Sequence, residues 1–167
     1  MKVNDSLLLL IKNFEGFRPI IYKCSAEKDT IGYGHVVSEE EKIKYKNGIS
    51  ELDATSLLIN DIEKVFIGLS KLIKTTKDGV LTQNQIEALI SLIFNIGIGR
   101  FSKSLAFKYI KESEKFSKNI GGKREFLKEK AKKELFDPII GFVKVKNVIS
   151  KGLVKRRAAE LELWNKE

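Results

Sequence analysis

The stretch from Glu15 to His35, EGFRPIIYKCSAEKDTIGYGH, places a carboxyl, the chain's one thiol, a hydroxyl and its one imidazole within 21 residues. A carboxyl that keeps its proton near neutral pH is what a general acid needs. A thiol becomes a base or nucleophile once a nearby cation favours its thiolate, and Lys23 and Lys28 stand close to Cys24 in sequence. Thr30 adds a hydroxyl six residues after the thiol. Glu27 and Asp29 are further carboxylates, but alternation along a strand puts these odd-numbered residues on the face opposite Cys24 and Thr30.

The elements around these residues can be read from their pattern. Residues 4–15 predict a helix: Asn4 or Asp5 can cap it, Leu7, Leu10, Ile11 and Phe14 recur at helical spacing, and Gly16 can end it. Glu15 then falls in the last turn, where the partial negative charge of the helix end favours the protonated carboxyl. By position alone an exposed Glu at a frayed helix end fits as well. Residues 17–37 carry β-branched and aromatic residues in alternation, which predicts a hairpin or small sheet with its turn near 25–28. Gly32 and Gly34 flank Tyr33, marking backbone approached closely by either a ligand or a packed helix.

Length and composition narrow the class. At 167 residues with 43% apolar residues and two prolines, the chain has enough apolar surface for a core. One cysteine excludes an intramolecular disulfide, and a lone Cys with a lone His argues against a protein-only zinc site, so no metal or cofactor is expected. No apolar run approaches about 18 residues, and Leu7 to Ile11 is too short and too soon followed by charge to be a signal sequence, so neither membrane insertion nor an export signal is expected. A net charge of +9 favours polyanions: nucleic acid, anionic lipid or acidic envelope polymers. The basic residues lack the aromatic interleaving of single-strand binders, which sets nucleic acid last.

Further along, Ser50 and Asp53 have capping-box spacing before a helix of about 24 residues over 51–74, about 36 Å at 1.5 Å per residue, and Asp61 on it is the acid expected to pair with His35. Thr82 and Gln85 open a second helix, LTQNQIEALISLIFNIG, whose breadth of apolar residues implies enclosure on most sides. Ser102 is expected to start the next helix, and a basic helix over about Lys123 to Leu135 to carry its lysines as a solvated face. Asp137 to Ile149 reads as a turn at Pro138 and Gly141 followed by either an extended stretch or buried filler. A last helix follows Gly152, with Val154, Ala158, Leu161 and Trp164 expected inward.

Four blocks then resemble the phage-type lysozymes, or endolysins, of the T4 and lambdoid-phage kind: NFEGFR at 13–18, TIGYGH at 30–35, LTQNQIEALISLIFNIGIGRF at 81–101 and GLVKRRAAE at 152–160. They stand in the family's order and leave out mainly residues 111–150. The resemblance implies a mainly helical α+β fold with two lobes. A small β-hairpin or sheet lobe would occupy about 16–50 and a long helix 51–74, with 1–15 and 75–167 forming the larger helical lobe of one lysozyme-like domain.

In activity, the resemblance implies hydrolysis of the β-1,4 bond between N-acetylmuramic acid and N-acetylglucosamine in peptidoglycan. A monomer would act on glycan strands of the periplasm or cell wall after release by a separate route. Glu15 matches the general acid, and Thr30 matches a threonine that helps hold the attacking water. Cys24 stands where the family usually has aspartate, so either a thiolate replaces that carboxylate or the protein is an impaired peptidoglycan-binding module. Asn95 would donate to a sugar N-acetyl group or cap its helix. Arg156 rather than Arg157 would lie beside Glu15, and His35, in the family's GYGH, would be a tie between lobes rather than a catalyst. Inversion is favoured; direct attack by Cys24 would instead retain the anomer at a shorter spacing.

Overall fold

The computed structural model describes residues 3–24, 27–75, 79–116 and 122–166. The order is α1 (Asp5–Glu15), β1 (Arg18–Lys23), β2 (Asp29–Gly32), β3 (His35–Val36), α2 (Glu39–Lys44), α3 (Glu51–Ser70), α4 (Gln83–Ile96), α5 (Ile98–Ser102), α6 (Leu105–Ser113), α7 (Lys123–Phe136), β4 (Lys144–Val145), β5 (Val148–Ile149) and α8 (Lys151–Trp164). The chain is mainly helical with small antiparallel sheets, as expected. It divides into two compact units, 1–64 and 65–167, with the boundary inside α3. No described helix is long and apolar enough to cross a membrane.

In the first unit, the Asn4 side chain accepts from the Leu7 amide, and Gly16 at φ 70° ends α1 by returning its N–H to the Lys12 carbonyl. The sheet runs β1-β2-β3, antiparallel throughout, with Tyr22 opposite Thr30, Lys23 opposite Asp29 and Ile31 opposite His35. The turn expected near 25–28 lies partly outside the described residues. Its described part is closed by Cys24 N–H to the Lys28 carbonyl at 3.0 Å and Glu27 N–H to the Cys24 carbonyl at 2.9 Å. Ser50 caps α3 through the Asp53 amide at 3.1 Å, and the helix runs 20 residues rather than about 24.

In the second unit α4 packs on α8 and α6 on α7. Thr82 and Gln85 form the reciprocal capping box that their spacing predicts, and Ile86 through Ile93 of α4 are all buried. Three readings are corrected. Ser104, not Ser102, caps α6, since Ser102 is still the last residue of α5. The basic α7 is not wholly solvated, because Arg124 and Lys128 are 7% and 9% exposed and Arg124 Nη2 donates to the Gly79 carbonyl at 2.8 Å. On α8 only Trp164 of the four expected residues is buried; Arg156, Arg157, Glu160 and Leu163 turn inward with it, while Ala158 is exposed. Residues 144–149 are extended and exposed, not filler: they form a hairpin turned by Lys146 and Asn147 at φ 47° and 66°.

Candidate active site

The hairpin sorts its side chains by parity. Residues opposite one another in antiparallel strands share a face, so Tyr22 and Thr30 lie together, and Cys24, two residues beyond Tyr22, follows on that face. Lys23 and Asp29 occupy the other, where Asp29 meets Lys23 at 2.9 Å and Lys42 at 2.7 Å. Those two ammonium groups, Lys42 first, hold the Asp29 carboxyl below its ordinary range. Asp29 is therefore committed to structure on the face away from the thiol, and Lys23 with it.

Glu15 closes α1 and is half-buried. Gly34 faces it: a Cβ there would stand in ordinary contact, 3.6 Å from Glu15 Oε2, so the φ of 91° rather than lack of space calls for glycine. Gly32, at φ 65°, meets a different neighbour, since its Cβ would come to 3.0 Å from Ala54 Cβ of α3. Of the two sequence alternatives, a packed helix is what Gly32 meets, while Gly34 faces the chain's own Glu15 carboxylate, which neither alternative named.

Tyr22 is half-buried on β1, opposite Thr30. Burial pushes its hydroxyl above the ordinary value, the negative charges of Glu15 and Cys24 push it further, and Arg18, whose guanidinium carbon lies 5.8 Å from the ring centroid, opposes them. Thr30 is 2% exposed and its Oγ1 donates to the Lys28 carbonyl at 2.9 Å, which leaves lone pairs on the hydroxyl oxygen. Tyr22 went unnoticed in the sequence, although its place two residues before Cys24 on a strand was the available signal.

His35 pairs with Asp61, the acid expected for it. Nδ1 is 2.7 Å from Asp61 Oδ2 and Nε2 is 3.3 Å from Glu41 Oε1, so the imidazolium can donate to both. The Asp61 hydrogen bond chiefly raises the His35 pKa, with Glu41 adding to it and burial opposing. This histidine ties β3 to α2 and α3.

In the second unit Arg156, Arg157, Glu160 and Ser91 form a buried cluster, and the exposed Asn95 joins it at its edge. Arg157 Nη2 donates to Asn95 Oδ1 at 3.0 Å and to Glu160 Oε1 at 3.1 Å, and Arg157 Nε lies 2.7 Å from Glu160 Oε2. Arg156 Nε reaches Glu160 Oε1 at 3.2 Å, its Nη2 donates to the Ser91 carbonyl at 3.3 Å, and Ser91 Oγ donates to Glu160 at 2.8 Å. Burial pushes Glu160 up and Arg157 down, and the attraction between them opposes both shifts. Gly97, not Asn95, supplies the C-terminal cap of α4, through its N–H to Ile93. Glu160 and Ser91 were missed; two arginines followed by a carboxylate three and four residues on was the pattern to see.

A family model described as phage lysozyme matches residues 12–160. An endolysin of Acyrthosiphon pisum secondary endosymbiont phage 1 is 35% identical over 165 residues, covering 98% of each chain. An endolysin of Bacillus phage B103 is 32% identical over 98% of this chain, which spans 54% of that longer relative. Among solved structures, the muramidase domain of SpmX from Asticaccaulis excentricus superposes with a TM-score of 0.71 at 27% identity over 99% of both chains. With a model match across nearly the whole chain and a relative of equal length at 35% identity, the chain belongs to the phage lysozyme family.

Proposed function

We propose that the protein is a lysozyme-type hydrolase that cuts peptidoglycan, and specifically the β-1,4 bond from N-acetylmuramic acid to N-acetylglucosamine. Glu15 gives the leaving oxygen its proton. Cys24 and Thr30 act on the other side, where the thiolate takes a proton from water, or stabilises the developing positive charge at the anomeric carbon, and the Thr30 oxygen orients that water. Asn95, whose Oδ1 is occupied by Arg157, presents its amide N–H groups to a sugar carbonyl, and Arg156 takes part in substrate binding. The enzyme acts as a monomer on glycan strands of the cell wall, after release by a separate route. The observations that support the reading are the phage lysozyme match across residues 12–160 and the half-buried Glu15 carboxyl at the end of α1, facing the Gly34 backbone.

The test is digestion of purified peptidoglycan, with new reducing ends identified by mass spectrometry. Reducing N-acetylmuramic acid ends support the reading; other new ends refute the bond assignment. Alkylating Cys24 with iodoacetamide should stop turnover and Cys24→Asp should sustain it, whereas full activity after complete alkylation removes the thiol from the mechanism. Proton NMR of fresh product should show the inverted anomer. Cys24, standing where the family usually has aspartate, also favours a second reading, a wall-binding module without turnover, which predicts co-sedimentation with peptidoglycan and no new ends.

A further inference from the structure

Much of the net charge of the chain falls in one stretch of the second unit. Between Lys123 and Lys151 nine lysines and arginines face four carboxylates, so this stretch carries +5 of the chain's +9. The same stretch exposes Phe126 at 58%, Ile139 at 65%, Ile140 at 51% and Val148 at 70%. Exposed apolar residues scattered singly need no explanation. Here Phe126, Phe136, Pro138 and Leu161 line a hollow of about 450 Å3 on α7, and Lys130, Lys132 and Lys133 stand around it.

The edge of the hollow is built rather than loose. Asp137 Oδ1 accepts from the amides of both Ile139 and Ile140, at 2.8 and 3.0 Å, which fixes the two exposed isoleucines in a turn directly after Pro138. Lys130 Nζ sits over the Phe126 ring at 4.7 Å and the Tyr109 ring at 5.5 Å, so its stem covers apolar surface while its charge is kept. Glu129 pairs with Lys132, whereas Lys130 and Lys133 are exposed.

We infer that this face of the second unit docks on an anionic phospholipid surface. Phe126, Ile139 and Ile140 enter the boundary between headgroups and acyl chains, and Lys130 and Lys133 meet lipid phosphates. Only a partner negative at its surface and apolar just beneath it uses both halves of the patch. A polyanion without an apolar layer leaves the isoleucines in water, and a second copy would set lysine against lysine. The inference accounts for much of the stretch outside the blocks shared with phage lysozymes and does not depend on the assignment of catalytic residues.

The test is co-sedimentation of the whole protein with vesicles of phosphatidylcholine alone and of three parts phosphatidylcholine to one part phosphatidylglycerol. Binding should be at least about tenfold stronger to the anionic vesicles and should fall steeply with added salt. Ile139→Ser with Ile140→Ser, and separately Lys130→Gln with Lys133→Gln, should each weaken it by about tenfold while peptidoglycan cleavage stays at the wild-type rate, which shows that the fold is kept. Equal binding to both vesicles, undiminished binding by either double variant, or no vesicle binding overturns the inference. So does a concentration-dependent dimer abolished by Ile139→Ser with Ile140→Ser, which would give the hollow to a second copy.

Discussion

The hairpin of the first unit and the arginine cluster of the second treat ionisable side chains in opposite ways. Glu15 and Cys24 are half-buried, and Asp29 is neutralised by two ammonium groups at the surface. In the cluster, Arg156, Arg157 and Glu160 are 3%, 0% and 0% exposed, and serine, asparagine and main-chain carbonyls join the ion pairs. A charge taken fully out of water persists only where fixed partners replace its hydration. The buried ion pairs of the cluster therefore serve stability while they hold Asn95 in place, whereas the ionisable groups of the hairpin keep part of their contact with water.

Paired substitutions separate the two. Glu15→Gln should lower the rate of peptidoglycan cleavage by about a thousandfold, the range general-acid removal commonly produces, with thermal stability within about 1 kcal/mol of wild type. Arg157→Met should cost about 3–5 kcal/mol in denaturant unfolding, because Glu160 stays buried with half its compensation gone. If instead Glu15→Gln unfolds the protein and Arg157→Met leaves stability intact, the roles assigned to the two regions are reversed.

The glycines sharpen the comparison within the hairpin itself. Gly32→Ala brings a methyl to 3.0 Å from Ala54 Cβ at a positive φ, so it should lose about 2–4 kcal/mol of stability through strain and overpacking together. Gly34→Ala meets only the Glu15 carboxylate, at 3.6 Å, and should cost about 1–2 kcal/mol. Its cleavage rate should nevertheless fall by about tenfold, because relief of the strain at the positive φ shifts the backbone that faces Glu15. Equal stability loss with no change in rate for either variant would detach Gly34 from the acid.

Local signals explain what could be read in advance. The Asn4 and Thr82–Gln85 caps, the placing of Asp29 on the face opposite Thr30, and the His35–Asp61 pair each depend on local spacing, strand alternation or a small set of candidate partners. The inward face of α8 was misread because periodicity arguments look for apolar residues, whereas Arg157 and Glu160 are buried by satisfying one another. Arg124 and Lys128 escaped for a similar reason: a long cationic side chain can be covered when a carbonyl or carboxylate meets its end. The 144–149 hairpin was ambiguous because its turn is Lys146-Asn147, without the glycine that usually announces one.

The smallest effect concerns pH, and it joins the two themes because His35 is a buried charge inside the hairpin unit. Its pKa is raised in the folded state, so its stabilisation is fully present below the ordinary histidine value of about 6.5 and is lost as pH rises through the folded value. Asp61 titrates the other way. Burial pushes it up, but the His35 and Lys64 contacts outweigh burial and leave it lowered; its stabilisation is present above about 4 and lost as pH falls through the folded value. The stability difference between wild type and His35→Gln should therefore be largest between about pH 4 and 6.5, at about 1 kcal/mol, and should shrink toward pH 8. Arg157→Met should show no comparable decline over the upper part of that window, since an arginine keeps its proton throughout. A wild-type advantage over His35→Gln that grows from pH 6 to 8 would mean that the neutral imidazole, not the imidazolium, holds β3 to α2 and α3.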